Sequence, residues 1–202
     1  GRHKKQSGGR GQFGVAKITV APLPAGSGFE FEDKIFGGSI SQSYRPAVEK
    51  GVIEASARGV LAGYPMVDFK VQLTDGKEHA VDSSEMAFKI AGSIAFKEAL
   101  PRARPVLLEP IMKLEITVPE DSMGDVMGDV SSRRGRISGI DSDGHFQIVR
   151  AEVPLSELDR YATSLRSMSH GKGLHTQKFE RYEEVPGDQM EKIRAASKKE
   201  AA

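Results

Sequence analysis

Cysteine is absent from the 202 residues. Disulfides and thiolate chemistry are thereby excluded, and the absence points to a cytoplasmic location. No apolar run approaches the ~20 residues that span a bilayer. The opening GRHKKQSGGRG lacks an apolar core, so no secretion signal is expected. A phosphate-binding loop of the form G-x-x-x-x-G-K-[ST] is also missing: His170-Gly171-Lys172-Gly173 has neither the leading glycine nor the hydroxyl. Acid is missing from the start of the chain. Arg2, Lys4, Lys5, Arg10 and Lys17 all precede the first carboxylate, Glu30, although 29 Lys+Arg against 28 Asp+Glu leave a formal charge of only +1.

With 38% apolar and 28% charged residues the chain reads as globular, and its length allows one large domain or two of ordinary size. Two further basic clusters, Arg133-Arg134-Gly135-Arg136 and the segment from Arg166 to Lys178, join the basic N-terminus. Any one of them could be a solvated surface. Three Gly- and Ser-containing basic segments together suit a phosphate backbone, because small residues let the chain approach closely.

Hydrophobic periodicity divides the chain near Pro110. Before it, Val15–Val20 and Phe29–Phe36 read as strands, and Pro46 opens a helix that Gly59 stops. Met66 to Leu73 alternates as a strand. A second helix follows Asp82, with Met86, Ala87, Ile90, Ala91, Ile94 and Ala95 on one face. After Pro110 come a strand (Met112–Val118), a helix through Met123 and Val130, and strands around Ile137–Ile140 and Phe146–Val153 joined by a turn at Asp141–Gly144. A helix from Pro154 and a strand from Leu174 to about Tyr182 complete this half. The order β-α-β-β-α-β is that of a ferredoxin-like fold. Residues 187–202 are polar.

Two motifs look chemical. GRGQFG, Gly9 to Gly14, matches G-x-G-x-x-G, but a dinucleotide site needs a strand before it and a helix after it. Here a basic tail precedes and a strand follows, so no dinucleotide is expected. TDGKEHAVDSSE, Thr74 to Glu85, gathers Asp75, Glu78, His79, Asp82 and Glu85. Asp75-Gly76 is a turn dipeptide, and Asp82-Ser83-Ser84-Glu85 reads as a capping box. What remains is Lys77, Glu78 and His79 on an exposed loop, which suits partner contact better than acid–base catalysis in a pocket. His170 and His175 lack the further ligands that structural zinc needs. Hence no catalytic, cofactor or metal residue is expected in this chain.

Long segments resemble the C-terminal part of bacterial elongation factor G. They are KKQSGGRGQFG, GVLAGYPMVDFKV, DGKEHAVDSSEMAFKIAGSIAFKEA, PVLLEPIM, MGDVMGDVSSRRGRI and YATSLRSMSHGKG, spread from Lys4 to about Pro186. The resemblance implies an α+β chain of two domains. Residues 1–109 are similar to domain IV, a ribosomal-protein-S-five-like α+β domain with a left-handed βαβ crossover. Residues 110–186 are similar to the ferredoxin-like domain V. It further implies a parent GTPase, using GTP and Mg outside this chain, that moves tRNA and mRNA through the ribosome.

By resemblance, two loops of domain IV enter the small-subunit decoding region and meet A-site tRNA–mRNA. They match Gln6, Ser7, Gly8 and Gly9, and Gly76, Lys77, Glu78 and His79. Domain V would face the large-subunit stalk base and sarcin–ricin region through Arg133, Arg134, Arg136, Ser169, His170, Gly171 and Lys172. The family commonly has an aromatic where Glu78 stands and an acid where Ala80 stands, and its last strand is usually less polar than Leu174–Phe179. Two alternatives stay open: a paralogue acting in ribosome recycling or protection, and a small hydrolase using His79 with Asp75 or Glu78.

Overall fold

The computed structural model describes residues 1–6, 9 and 11–200, the side chains of 198–200 excepted. The chain divides into two compact units, Gly1–Val106 with Met190–Ala202, and Leu107–Gln189. No helix among the described residues is long and apolar enough to cross a membrane.

The first unit contains strands β1 (Arg2–Lys5), β2 (Gln12–Pro22), β3 (Phe29–Asp33) and β4 (Phe69–Lys77), in sheet order β1-β2-β4-β3. β2 pairs antiparallel with β1 and β4, while β3 and β4 run parallel, joined through helix α1 (Arg45–Ser56). Helix α2 (Glu85–Ala103) follows β4. Alternation places Phe69, Val71 and Leu73 of β4 in the core, against Val48 and Val52 of α1 and Phe88 and Phe96 of α2. Each buried Phe of this kind contributes about 1.5–3 kcal/mol. The two helices touch through glycine: a Cβ on Gly51 would lie 1.9 Å from the Lys89 carbonyl oxygen, and one on Gly92 would lie 2.5 Å from that of Val48.

The second unit contains β5 (Leu108–Pro119), α3 (Met123–Ser132), β6 (Arg136–Asp143), β7 (Phe146–Pro154), α4 (Tyr161–Met168) and β8 (Leu174–Glu184). All neighbours are antiparallel in the order β6-β7-β5-β8, the ferredoxin-like arrangement. Leu114, Ile116 and Val118 of β5 pack with Val149, Ala151 and Val153 of β7 against Val126 and Val130 of α3 and Leu165 of α4. A last helix, α5, spans Gly187–Glu200.

Several local expectations are corrected. The basic N-terminus is strand β1, hydrogen-bonded to β2, and Gln12–Gly14 of the motif lie in β2; no helix follows the motif, and the dinucleotide reading still fails. Asp75-Gly76 is not a turn. β4 continues through both residues, beside a bulge at Lys17/Ile18 of β2. Gly76 is needed for close approach, since a Cβ there would sit 2.3 Å from the Val15 carbonyl oxygen and 2.3 Å from Ile40 Cδ1. The cap of α2 is Ser84, whose hydroxyl accepts the Ala87 N–H at 3.1 Å, rather than Asp82. The buried face of α2 is Ala87, Phe88, Ala91, Gly92, Ala95 and Phe96, with Met86 exposed. β3 ends at Asp33, short of Phe36. The β6–β7 turn is only Gly144-His145, and the segment after Pro154 is a 3₁₀ turn, Leu155–Glu157, ahead of a shorter α4.

Candidate nucleic-acid interface

Strand directions bring three loops to one end of the first unit's sheet. β3 and β4 are parallel, so their C-terminal ends face the same end of the sheet; Asp33 is level with Leu73, and β4 runs on to Lys77. β2 runs against β4 and β1 against β2, which places the start of β2 and the end of β1 at that same end. The segments there are the described residues 6, 9 and 11 between β1 and β2, loop 34–41 and loop 78–84. At ~4.8 Å between strands, the four strand ends span roughly 15 Å.

The structure brings the two loops singled out in the sequence into contact. The Phe13 N–H donates to the Asp82 carbonyl at 2.9 Å. The Ser83 hydroxyl accepts the His79 N–H at 2.9 Å and donates to the Phe13 carbonyl at 2.8 Å. A Cβ on Gly11 would lie 2.7 Å from Asp82 Cγ. Gln6 and Gly9 are exposed beside this junction, while Ser7 and Gly8 lie outside the described residues.

His79 sits on this frame with its side chain 55% exposed. Its ring meets Phe13 edge-on at 6.1 Å. Nδ1 accepts the N–H groups of Val81 (3.3 Å) and Asp82 (3.2 Å), with the Asp82 carboxylate at 3.6 Å. With Nδ1 engaged by the backbone, the neutral ring carries its proton on Nε2, which is the nitrogen left to donate to a partner. A half-exposed ring is poor ground for acid–base catalysis, which needs water excluded. Among the described residues no group of three or more His, Asp or Glu gathers as a metal site.

Glu78 has a partner that the sequence did not suggest. Its carboxylate accepts the Ser41 N–H at 2.8 Å and the Ser41 hydroxyl at 2.9 Å. Ser41 stands at the start of the 3₁₀ turn Gln42–Tyr44 that leads into α1 without capping it by its side chain, and a helix start favours a carboxylate. The negative charge is therefore tied back onto the protein. This bond also fixes loop 34–41 beside the His79 loop. The sequence marks this third loop only faintly, by Gly37-Gly38 after an aromatic that breaks the strand pattern.

In the second unit the basic clusters separate. Arg136 pairs in register with Glu152, which pairs with Lys113, whereas Leu174 pairs with Thr117. Strand rise and spacing place segments 133–136 and 169–173 at opposite edges and ends of the sheet, roughly 20 Å apart. They do not form one patch.

Most of the arginine donors there are committed internally. Arg133 binds the Asp129 carboxylate at 2.8 Å and the Glu157 carbonyl at 2.6 Å, and lies over the Tyr161 ring at 5.1 Å. Arg134 forks onto both Glu109 oxygens at 2.9 Å and reaches Glu157 at 2.8 Å. Arg136 is 66% exposed despite its bond to Glu183. Arg181 binds Glu152 and Glu183 and holds both below the ordinary carboxylate range.

Ser169 is buried at 1% exposure. Its hydroxyl donates to the Leu165 carbonyl at 2.6 Å and accepts the Gly173 N–H at 2.7 Å. It shapes the loop from inside and presents no hydroxyl to a partner. His170, Gly171 and Lys172 are exposed, with His170 (φ 50) and Gly171 (φ 81) both left-handed.

The family model "Elongation factor G, domain IV" matches residues 1–104, and "Elongation factor G C-terminus" matches 106–193. The chain is 54% identical over 193 residues to elongation factor G of Aquifex pyrophilus, which covers 96% of this chain and 28% of the relative. A crystal structure of a Thermus thermophilus protein superposes with a TM-score of 0.86 at 42% identity, covering 98% of this chain and 30% of the other. The chain thus spans less than a third of the length of these relatives. With two such models covering both sheet units nearly end to end, the chain belongs to the elongation factor G family and carries its domain IV and C-terminal regions.

Proposed function

We propose that this chain is the ribosome-contacting part of a cytoplasmic translational GTPase that promotes tRNA–mRNA translocation. The sheet end of the first unit enters the small-subunit decoding region, where it meets A-site tRNA–mRNA. GTP and Mg are used outside this chain. The observation that carries the reading is the loop pair at that end, docked through Ser83 and presenting His79 and Lys77 to solvent on a sheet-backed frame.

Each part has a physical role. Gln6 and the Nε2–H of His79 donate to sugar and base edges, which is how RNA without a readable major groove is recognised. Gly9 and the neighbouring Ser7-Gly8 pair suit close backbone approach by their size, and Lys77 adds a charge toward phosphate. Glu78 stays compatible with RNA because Ser41 occupies its carboxylate. Gly76 holds the strand end against Ile40. The rigid sheet then serves as a probe that occupies the vacated A-site. In the second unit, Arg136, His170, Gly171 and Lys172 are the exposed groups offered to the stalk base and sarcin–ricin region, with Arg133, Arg134 and Ser169 shaping those segments.

The test is single-turnover translocation by the full-length protein, read by toeprinting, with Lys77→Ala, His79→Ala and the double variant. Slowed translocation at retained ribosome-stimulated GTP hydrolysis is expected. Unimpaired translocation in the double variant would remove the tip's role. A parent that binds ribosomes but never translocates them would move the reading to recycling or protection.

A further inference from the structure

Phe36 is 93% exposed, more than any other large apolar side chain among the described residues. Its exposure is not the slackness of a loose loop. Ile35 packs into the core beside it, and the Ile35 N–H donates to the Asp33 carboxylate at 3.0 Å. Arg45 pairs with that carboxylate at 2.7 Å and donates to the carbonyls of Ile40 at 3.0 Å and Gly37 at 3.4 Å. The backbone on both sides of Phe36 is therefore anchored while the ring stands in water. A Cβ on Gly37 or Gly38 would meet nothing within 4 Å, so there is open space beside the ring.

The loop that carries the ring also reaches the tip. Loop 34–41 shares the sheet end with the His79 loop, and Ser41 is bonded to Glu78. We infer that Phe36 is a third contact of this tip, a platform on which an unpaired RNA base stacks. The inference rests on the RNA-facing reading proposed above. Stacking on an isolated aromatic among small and polar residues is a usual way to hold a single-stranded base. A protein partner would call for a contiguous apolar patch, and the sequence neighbours Lys34, Gly37, Gly38 and Ser39 supply none.

The experiment uses the full-length protein and ribosomes programmed with mRNA and tRNA as the probe. Phe36→Ala, Phe36→Leu, Phe36→Tyr and Phe36→Trp are compared with His79→Ala for ribosome affinity and single-turnover translocation. An exposed position tolerates all four substitutions without unfolding. Ala and Leu should weaken binding on the order of tenfold, the loss of one stacked base, whereas Tyr and Trp should stay near wild type. Leu performing as well as Phe would show apolar packing against protein and overturn the inference. Phe36→Ala unchanged while His79→Ala is impaired would overturn it and leave the tip reading standing. Both unchanged would overturn the two together.

Discussion

Replacing Ser83 with alanine should unfasten the His79 loop. The Ser83 hydroxyl is the acceptor for the His79 N–H at 2.9 Å and the donor to the Phe13 carbonyl at 2.8 Å, in a residue only 8% exposed. Ser83→Ala removes one oxygen, leaves almost no cavity, and orphans two part-buried backbone groups. A fully buried group left unsatisfied costs about 1–3 kcal/mol, which caps the pair at about 2–6 kcal/mol, and part-burial brings the expected loss toward the lower end, about 2–3 kcal/mol. Part of that cost is relieved if the loop opens to water, so the fullest signal is local. Amide exchange at His79 should accelerate on the order of a hundredfold, and the urea midpoint of the first unit should fall. Ser84→Ala is the control. It removes the α2 cap bond to the Ala87 N–H, costs about 1 kcal/mol, and should leave the His79 amide as protected as before. Exchange at His79 within about threefold of wild type in Ser83→Ala would refute the claim that Ser83 fastens the two loops.

Further outcomes can be measured by denaturation. Gly51→Ala forces a Cβ against the Lys89 carbonyl and should cost about 1–3 kcal/mol or more, whereas Gly128→Ala, which meets open space in α3, should gain about 0.5–1 kcal/mol. Tyr161→Phe should stabilise by about 1 kcal/mol, because the buried hydroxyl has no hydrogen-bond partner among the described residues and burial pushes its pKa up to about 12. Burial lowers the pKa of His175, so the unfolded chain takes up its proton first. Its contribution is full above the ordinary value of 6.5 and is lost as pH falls below it, and His175→Gln should flatten that slope in the second unit. Glu32, pulled down to about 2 by hydrogen bonds from Lys34, Lys70 and Gln72, keeps its contribution above about 4.5. The first unit should lose it only as pH falls from there toward 2, a slope absent in Glu32→Gln.

What the sequence revealed was local or periodic. Phe69, Val71 and Leu73 announced β4 by alternation, and the βαββαβ order of the second unit followed from its periods and turns. β1 was hidden because Arg-His-Lys-Lys has no apolar alternation; hydrogen bonds to β2 define it, with little burial. Asp75-Gly76 carried a turn signature, but Gly76 serves a contact with Ile40, far away along the chain, which no local rule can foresee. Asp82 and Ser84 are both good caps. Ser84 holds the cap position while Asp82 turns its carbonyl to Phe13. The basic cluster at Arg133–Arg136 was legible as charge. One of its acids, Asp129, is local to Arg133, but Glu109, Glu157 and Glu183 were too far along the chain to be recognised as partners. The family resemblance singled out the segments at Gln6–Gly9 and Gly76–His79, whereas loop 34–41 joined them only when strand direction was known.

The functional reading turns on where the sheet end goes. The chain has no cysteine, so Ala80→Cys, beside His79, and Ser27→Cys, exposed in the β2–β3 loop at the far end of the sheet, are each unique within it. An iron chelate tethered to either position in full-length protein otherwise free of cysteine reports nearby RNA by hydroxyl-radical cleavage on the ribosome. Cleavage of small-subunit RNA in the decoding region from position 80, and none there from position 27, is the predicted result. Decoding-region cleavage from position 27 in place of 80, or from neither on bound ribosomes, would contradict it.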